Sequence, residues 1–187
     1  MINYQLLQNK LSNYKDEELL DFIYQKELNP NLLLLINHEL SKRPFLEKKL
    51  NLDIDNPLSK ILDKRKVFLE NVDLSGIKFN KVNFEGSSFK GSILNNIDIT
   101  QSDFTSCDFE GAIINESLLK NNNFSNSNFQ SANLESSTFD NSIMSDTNLR
   151  ESNLTNASFR NVTFLRANLC KANRTNTDFY MILDHKA

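Results

Sequence analysis

The sequence predicts an all-β solenoid preceded by a small α-helical N-terminal segment, and three observations carry that expectation. From Leu69 to Phe179 an apolar residue stands at every fifth position in 22 of 23 places, a period that belongs neither to a helix nor to an ordinary strand. Two residues before each stands a small or β-branched one, such as Val72, Ser92, Cys107, Ala132 and Ala167. Residues 1–66 lack this period and carry helix start and stop signals instead.

In the N-terminal segment, Asp16 is placed to cap a run carrying Leu19, Leu20, Phe22 and Ile23. Asn29 and Pro30 give an N-cap and first helical position for a run through Leu40, with Lys42 and Arg43 in the last turn and Pro44 beyond. Asn56 and Pro57 repeat the start signal before Leu58, Ile61 and Leu62. Helices this short do not stand alone in water, so they must pack on one another or on the repeat region. The expected division is a helical cap over 1–66, the repeat over 67–181 and a tail over 182–187.

The five-residue period arises from side-chain alternation. In an extended stretch the residues at i−2 and i share one face and i−1 takes the other. If the chain turns after each such stretch, the large and small residues both point inward. The remaining slots, mainly Asn, Asp, Ser, Thr, Lys and Glu, line the turns and the outer surface.

The pattern resembles the pentapeptide-repeat family, whose consensus is A(D/N)LXX. It is clearest here as Ser131-Ala132-Asn133-Leu134-Glu135 and Arg166-Ala167-Asn168-Leu169-Cys170. The resemblance implies a right-handed quadrilateral β-helix with four repeats per coil, hence about 5 to 6 coils and a rod of roughly 27 Å at ~4.8 Å per strand. Residues 20 apart should then stack, and they sort accordingly. Phe84, Phe104, Phe124, Met144 and Phe164 form one column, while Leu74, Leu94, Ile114, Leu134 and Leu154 form an aliphatic one. Cys107 faces inward and Cys170 outward three coils on, ~14 Å apart and beyond the ~7 Å limit of a disulfide.

Composition excludes several functions. A net charge of −3 points to neither direct nucleic-acid binding nor an anionic membrane. The longest apolar run, Leu32 to Ile36, is too short to span a bilayer, and the start has no basic-then-apolar leader. A cytoplasmic, reducing location is expected, with non-classical secretion as a host-directed effector left open. Two cysteines without metal-ligand spacing suggest no metal, and no cofactor motif is present. Asn-X-Thr triplets such as Asn153-Leu154-Thr155 are expected by chance in so Asn-rich a chain. His38 lies among apolar helix residues and reads as an ordinary packed or surface histidine. With no nucleophile, phosphate-loop or metalloprotease motif, and with Asp103 and Asp108 expected on different sides, the chain reads as no enzyme.

Candidate surfaces come from departures within the repeat. Residues 91–149 carry eight acids against Lys120, and 150–174 carry five bases against Glu151. Some members of the family resemble duplex DNA and bind DNA gyrase, protecting it from quinolones or peptide toxins, so gyrase or another topoisomerase is one partner that the resemblance implies. Against it, the acids spread over all four faces and the C-terminal third is basic.

Ile93, Ile113, Leu118 and Ile143 occupy outward slots where Asn, Asp, Ser or Thr is usual. With Asp98 and Asp108 beside them they suggest a protein-partner surface. The alternatives are that β-branched residues simply suit strands, or that the N-terminal helices cover them. Arg174 breaks the aliphatic column, either as an end cap against further stacking or as an anion contact. The run through Tyr180, Met181, Ile182 and Leu183 is either a plug for the last coil or a homodimer contact. The expected function is a non-catalytic protein-interaction scaffold.

Overall fold

The computed structural model describes residues 9–15, 31, 32, 35, 36, 39 and 66–180. Residues 9–11 and 31, 32, 35, 36 and 39 are helical. The rest of the segment expected to form a helical cap, His38, Met181 and the 182–187 tail lie outside the described residues.

From Phe68 to Asp178 the outward residue of each pentapeptide bridges in parallel to the residue 20 positions on, as in Phe68↔Ser88, Ile93↔Ile113 and Ser158↔Asp178. One of these contacts widens into a pair of strands, β1 (Lys78–Asn80) and β2 (Asp98–Thr100), in register Phe79↔Ile99. Twenty residues therefore make one coil, and four pentapeptides make its four sides.

Each pentapeptide sends its backbone bonds to both neighbouring coils. The inward residue and the corner residue donate to carbonyls 19 positions ahead, as Leu74 N–H does to Ile93 (2.8 Å) and Gly76 N–H to Asn95 (2.8 Å). The outward residue donates 21 positions back, as Ile93 N–H does to Val72 (2.9 Å). The corners close by tight turns such as Ala112 N–H to the Phe109 carbonyl (3.0 Å). All 22 corners from Asn71 to Asn176 have a left-handed residue, 18 of them non-glycine. Asn fills eight of those 18, in keeping with its tolerance of positive φ.

Inside, the larger inward residues form a continuous apolar core. The expected column of stacked rings is present, with Phe84–Phe104 centroids at 5.3 Å and Phe104–Phe124 at 5.1 Å. A second stack runs beside it through Phe89, Phe109 and Phe129, and a third through Phe139, Phe159 and Phe179. Rings of the first two columns meet edge-on or tilted, as Phe84–Phe89 and Phe104–Phe109 do. Such contacts contribute about 0.5–1.5 kcal/mol per pair beyond burial.

The small inward slot stitches the coils together. Buried Ser117, Ser127 and Ser142 donate to the carbonyls of Leu94, Phe104 and Leu119 at 2.7–3.0 Å, and Asn122 Nδ2 does the same to Ile99. Several of these groups also accept an N–H from the preceding coil, as Ser137 Oγ does from Ser117. A polar residue in the core is thereby satisfied rather than orphaned.

Candidate functional site

The outward slot sets what each side presents. Where it holds Asp or Asn, the side-chain oxygen at most positions accepts the N–H two residues on and braces the corner. Glu110 N–H reaches Asp108 in this way at 3.0 Å, and Thr105 N–H reaches Asp103 at 2.9 Å. Where asparagines stack, their amides also link coil to coil, as in Asn173 to Asn153 to Asn133 and Asn148 to Asn128 to Asp108.

On one side this scheme is interrupted. Ile93 and Ile113 bridge each other, each 37% exposed, directly below Asn133 in the same column. Neither can accept a corner N–H, and Asn95 Oδ1 instead takes the N–H of Asn115 (3.0 Å). Asn115 Oδ1 is in turn a buried side-chain polar atom with no hydrogen-bond partner among the described residues.

The other candidate residues are dispersed over the coil. Leu118 bridges Asp98 on the adjoining side, and both are half-buried. Asp108 lies on the side that precedes Ile113 and is held by Glu110 N–H and Asn128 Nδ2. Ile143, 44% exposed, bridges Asn123 and Thr163 on the side opposite Ile113, so it joins no surface with the isoleucine pair. Arg174 and Tyr180 are exposed at the last coil, where Leu169, Ala172 and Phe179 are only partly buried. Met181, Ile182 and Leu183 lie outside the described residues.

Some of the charges are cross-linked between coils. Arg166 grips Asp146 through two 2.6 Å bonds, and Arg160 reaches Asp178 at 2.6 Å. Lys90 pairs with Glu110 at 2.9 Å. The Arg166 hydrogen bonds hold the Asp146 carboxyl below its ordinary range. Burial pushes the Cys107 thiol up to about 12, while Cys170 is exposed, and both are free.

Asp103 and Asp108 stand on adjoining sides of the coil, each accepting an N–H of its own corner. Among the described residues no group of three or more His, Cys, Asp or Glu is placed to hold a metal, and no helix is long and apolar enough to cross a membrane. An apolar cavity of about 20 Å³ lies between inward rings including Phe84, Phe104 and Phe109, room for little more than one water molecule.

The left-handed corners, the Asx-braced turns and the second aromatic stack were not read from the sequence. The frequent Asn and Gly one residue after each turn begins were the available signal for the first.

A family model described as pentapeptide repeats matches eight copies over residues 69–105, 102–141 and 147–180. Among curated proteins, no relative matches the chain. Solved structures include a pentapeptide repeat protein (Rfr23) from the cyanobacterium Cyanothece 51142. It is 22% identical over 64% of this chain and 88% of that one, with a TM-score of 0.48. A pentapeptide repeat protein from the Arabidopsis thaliana thylakoid lumen is 25% identical over 56% of this chain and 71% of that one, with a TM-score of 0.52. QnrB1, a plasmid-mediated fluoroquinolone resistance protein, is 15% identical over 67% and 86%, with a TM-score of 0.26. Proteins of this repeat fold as right-handed quadrilateral β-helices and are in general structural or interaction proteins rather than enzymes. By its repeat, its twenty-residue coil and the match over most of that coil, the chain belongs to the pentapeptide-repeat family.

Proposed function

We propose that the protein is a cytoplasmic, non-catalytic interaction scaffold whose contact surface lies on the side carrying Ile93 and Ile113 and the adjoining side carrying Leu118. One observation carries this reading. In a column where asparagine supplies both a corner brace and a coil-to-coil bond, two stacked positions give up those bonds and expose aliphatic side chains. The coil closes with asparagine there, so the isoleucines are not required by closure, and adjacent exposed apolar residues are what a protein contact uses.

The reading includes a role for residues 1–66 as a cap on the first coil. It is supported by Phe68 N–H donating to Asn31 Oδ1 (2.8 Å) and by Leu35 and Ile36 sharing the core cluster with Val67 and Leu69.

The test is affinity capture from cells with wild type and with Ile93→Asn, Ile113→Asn and Leu118→Asn combined, then quantification and reconstitution of each specific partner. The scaffold reading expects at least one partner that is retained by wild type and lost with the triple variant. Identical partner sets for the two proteins would remove it. Gyrase as the captured partner, with inhibition or protection of supercoiling by purified protein, would favour the topoisomerase-modulator reading, which the cross-linking of Asp146, Asp178 and Glu110 to cations otherwise weakens. Translocation of a reporter fusion into host cells would favour the effector reading.

A further inference from the structure

We infer that the occupant of this surface is a cationic segment of another protein, with an aliphatic or aromatic anchor set among Lys or Arg residues. The inference rests on the interaction-surface reading above and adds the chemistry of the partner. Its support is a set of departures clustered around Ile113, none of which the coil requires.

The first is the glycine beside it. Gly111 occupies a left-handed corner (φ +63), yet Ser131, Glu151 and Lys171 occupy the same corner column at φ 56, 60 and 60. A Cβ on Gly111 would meet nothing within 4 Å. Neither conformation nor space demands glycine, and its effect is to leave bare backbone along one edge of Ile113. A side chain docked over the Ile93–Ile113 pair therefore meets no Cβ at that edge.

The second is uncompensated charge on the other edge. The stacked stretches 111–118 and 131–138 contain Glu116 and Glu135 and no Lys or Arg, whereas Asp98, one coil below Leu118, has Lys78 as its register partner. None of these three carboxylates makes an ion pair among the described residues. Some acids elsewhere find cations, as Glu110 with Lys90, Asp146 with Arg166, Glu151 with Arg150 and Asp178 with Arg160, while others such as Asp103 and Asp108 are engaged by backbone N–H groups of their own corners. Glu116 and Glu135 line the corner between the isoleucine side and the Leu118 side, so an anchor over Ile113 brings flanking cations to them. Partners carrying negative charge are repelled by the same arrangement.

The third is local: Asn115 Oδ1 at that same corner is buried without a hydrogen-bond partner among the described residues, a cost that the Asn-braced corners of this column do not carry.

The test is fluorescence anisotropy of the full chain with three labelled peptides of equal length. One is an amphipathic Leu/Lys peptide, one its Leu/Glu counterpart, and one a Lys/Gly peptide lacking leucine. The Leu/Lys peptide is expected to bind at least about tenfold more tightly than either other peptide. Ile113→Asn, which reproduces the residue that the column holds at Asn133 and so folds, is expected to weaken it roughly tenfold. Glu116→Gln with Glu135→Gln is expected to weaken it about fivefold at low salt, with the difference shrinking at high salt. Glu85→Gln, on the diagonally opposite corner, should change nothing.

Equal binding of the Lys/Gly peptide, or an equal loss with Glu85→Gln, reduces the effect to general charge attraction and overturns the proposal. Leu/Glu binding that depends on Ile113 overturns the cationic partner but leaves the apolar contact surface standing. Binding that ignores Ile113→Asn, or no binding by any peptide, counts against both.

Discussion

Ile113 bridges directly to Asn133 on the next coil, and at that step an apolar column becomes an amide ladder that continues through Asn153 and Asn173. The backbone is the same on both sides of the step. What changes is whether the outward side chain serves the coil or faces outward for something else.

Replacing Ile113 by Asn should therefore extend the ladder by one rung. The introduced amide can accept a bond from Asn133, worth about 0.5–1.5 kcal/mol, while the N–H two residues on is already held by Asn95 Oδ1. Loss of a β-branched residue offsets up to about 1 kcal/mol. The expected melting temperature is equal to or above that of the wild type. A loss greater than about 2 kcal/mol in chemical unfolding would show that Ile113 packs for the fold.

Phe109 lies between Phe89 and Phe129, with ring centroids at 5.3 and 4.6 Å. Phe109→Ala should cost about 3–5 kcal/mol through the cavity and the two lost stacks. Phe109→Leu copies Leu149 in the same column and should cost less than about 2 kcal/mol. Urea unfolding of the two variants side by side checks the difference.

At Gly111 space and conformation can be separated, because an added Cβ meets nothing. Gly111→Asn should be nearly neutral, since Asn occupies left-handed corners at 121, 126 and 141. Gly111→Val should cost about 1–3 kcal/mol from positive φ alone. Equal melting temperatures for the two would contradict that account.

The two thiols should separate cleanly. Cys107, buried and with its thiol pushed up to about 12, should resist an alkylating reagent at neutral pH until the chain unfolds, while exposed Cys170 reacts at once. Mass spectrometry of the folded, alkylated protein reads this directly. Cys107→Ser should fold, because serine occupies the same slot at 87 and 127 in its column.

Asp146 gives a pH signature whose sign is fixed. Its folded pKa lies below the ordinary 3.8 because Arg166 bonds the ionised form, so its contribution is present above 3.8 and is lost as the pH falls through the lower folded value. Wild type should exceed Asp146→Asn in stability at neutral pH by a small, salt-screened margin, and the two curves should converge in acid. A gap that widens on acidification would contradict the pairing.

The coil was legible because two constraints act together at every pentapeptide. Alternation puts Val72 with Leu74 and Ala112 with Ile114 on one face, and a turn every five residues keeps that face inward. The stack through Phe84, Phe104 and Phe124 came from counting in twenties. The same counting separates Ile143 from Ile113 by six pentapeptides, a turn and a half, and so puts them on opposite sides, although composition alone groups them. The roles of the acids were hidden for another reason. Asp108 and Asp103 look like free surface charge in a sequence but are occupied in bracing their own corners. Which carboxylates keep no counter-charge depends on the residue one coil above or below, a relation that composition over a segment averages away.

The equivalence of the 22 corners has a consequence for how such a rod can vary. Adding or removing one pentapeptide leaves every local turn intact yet rotates everything beyond it by a quarter turn. The face that carries Ile93 and Ile113 could thus be carried to a new bearing, with its chemistry unaltered, by an insertion far from it.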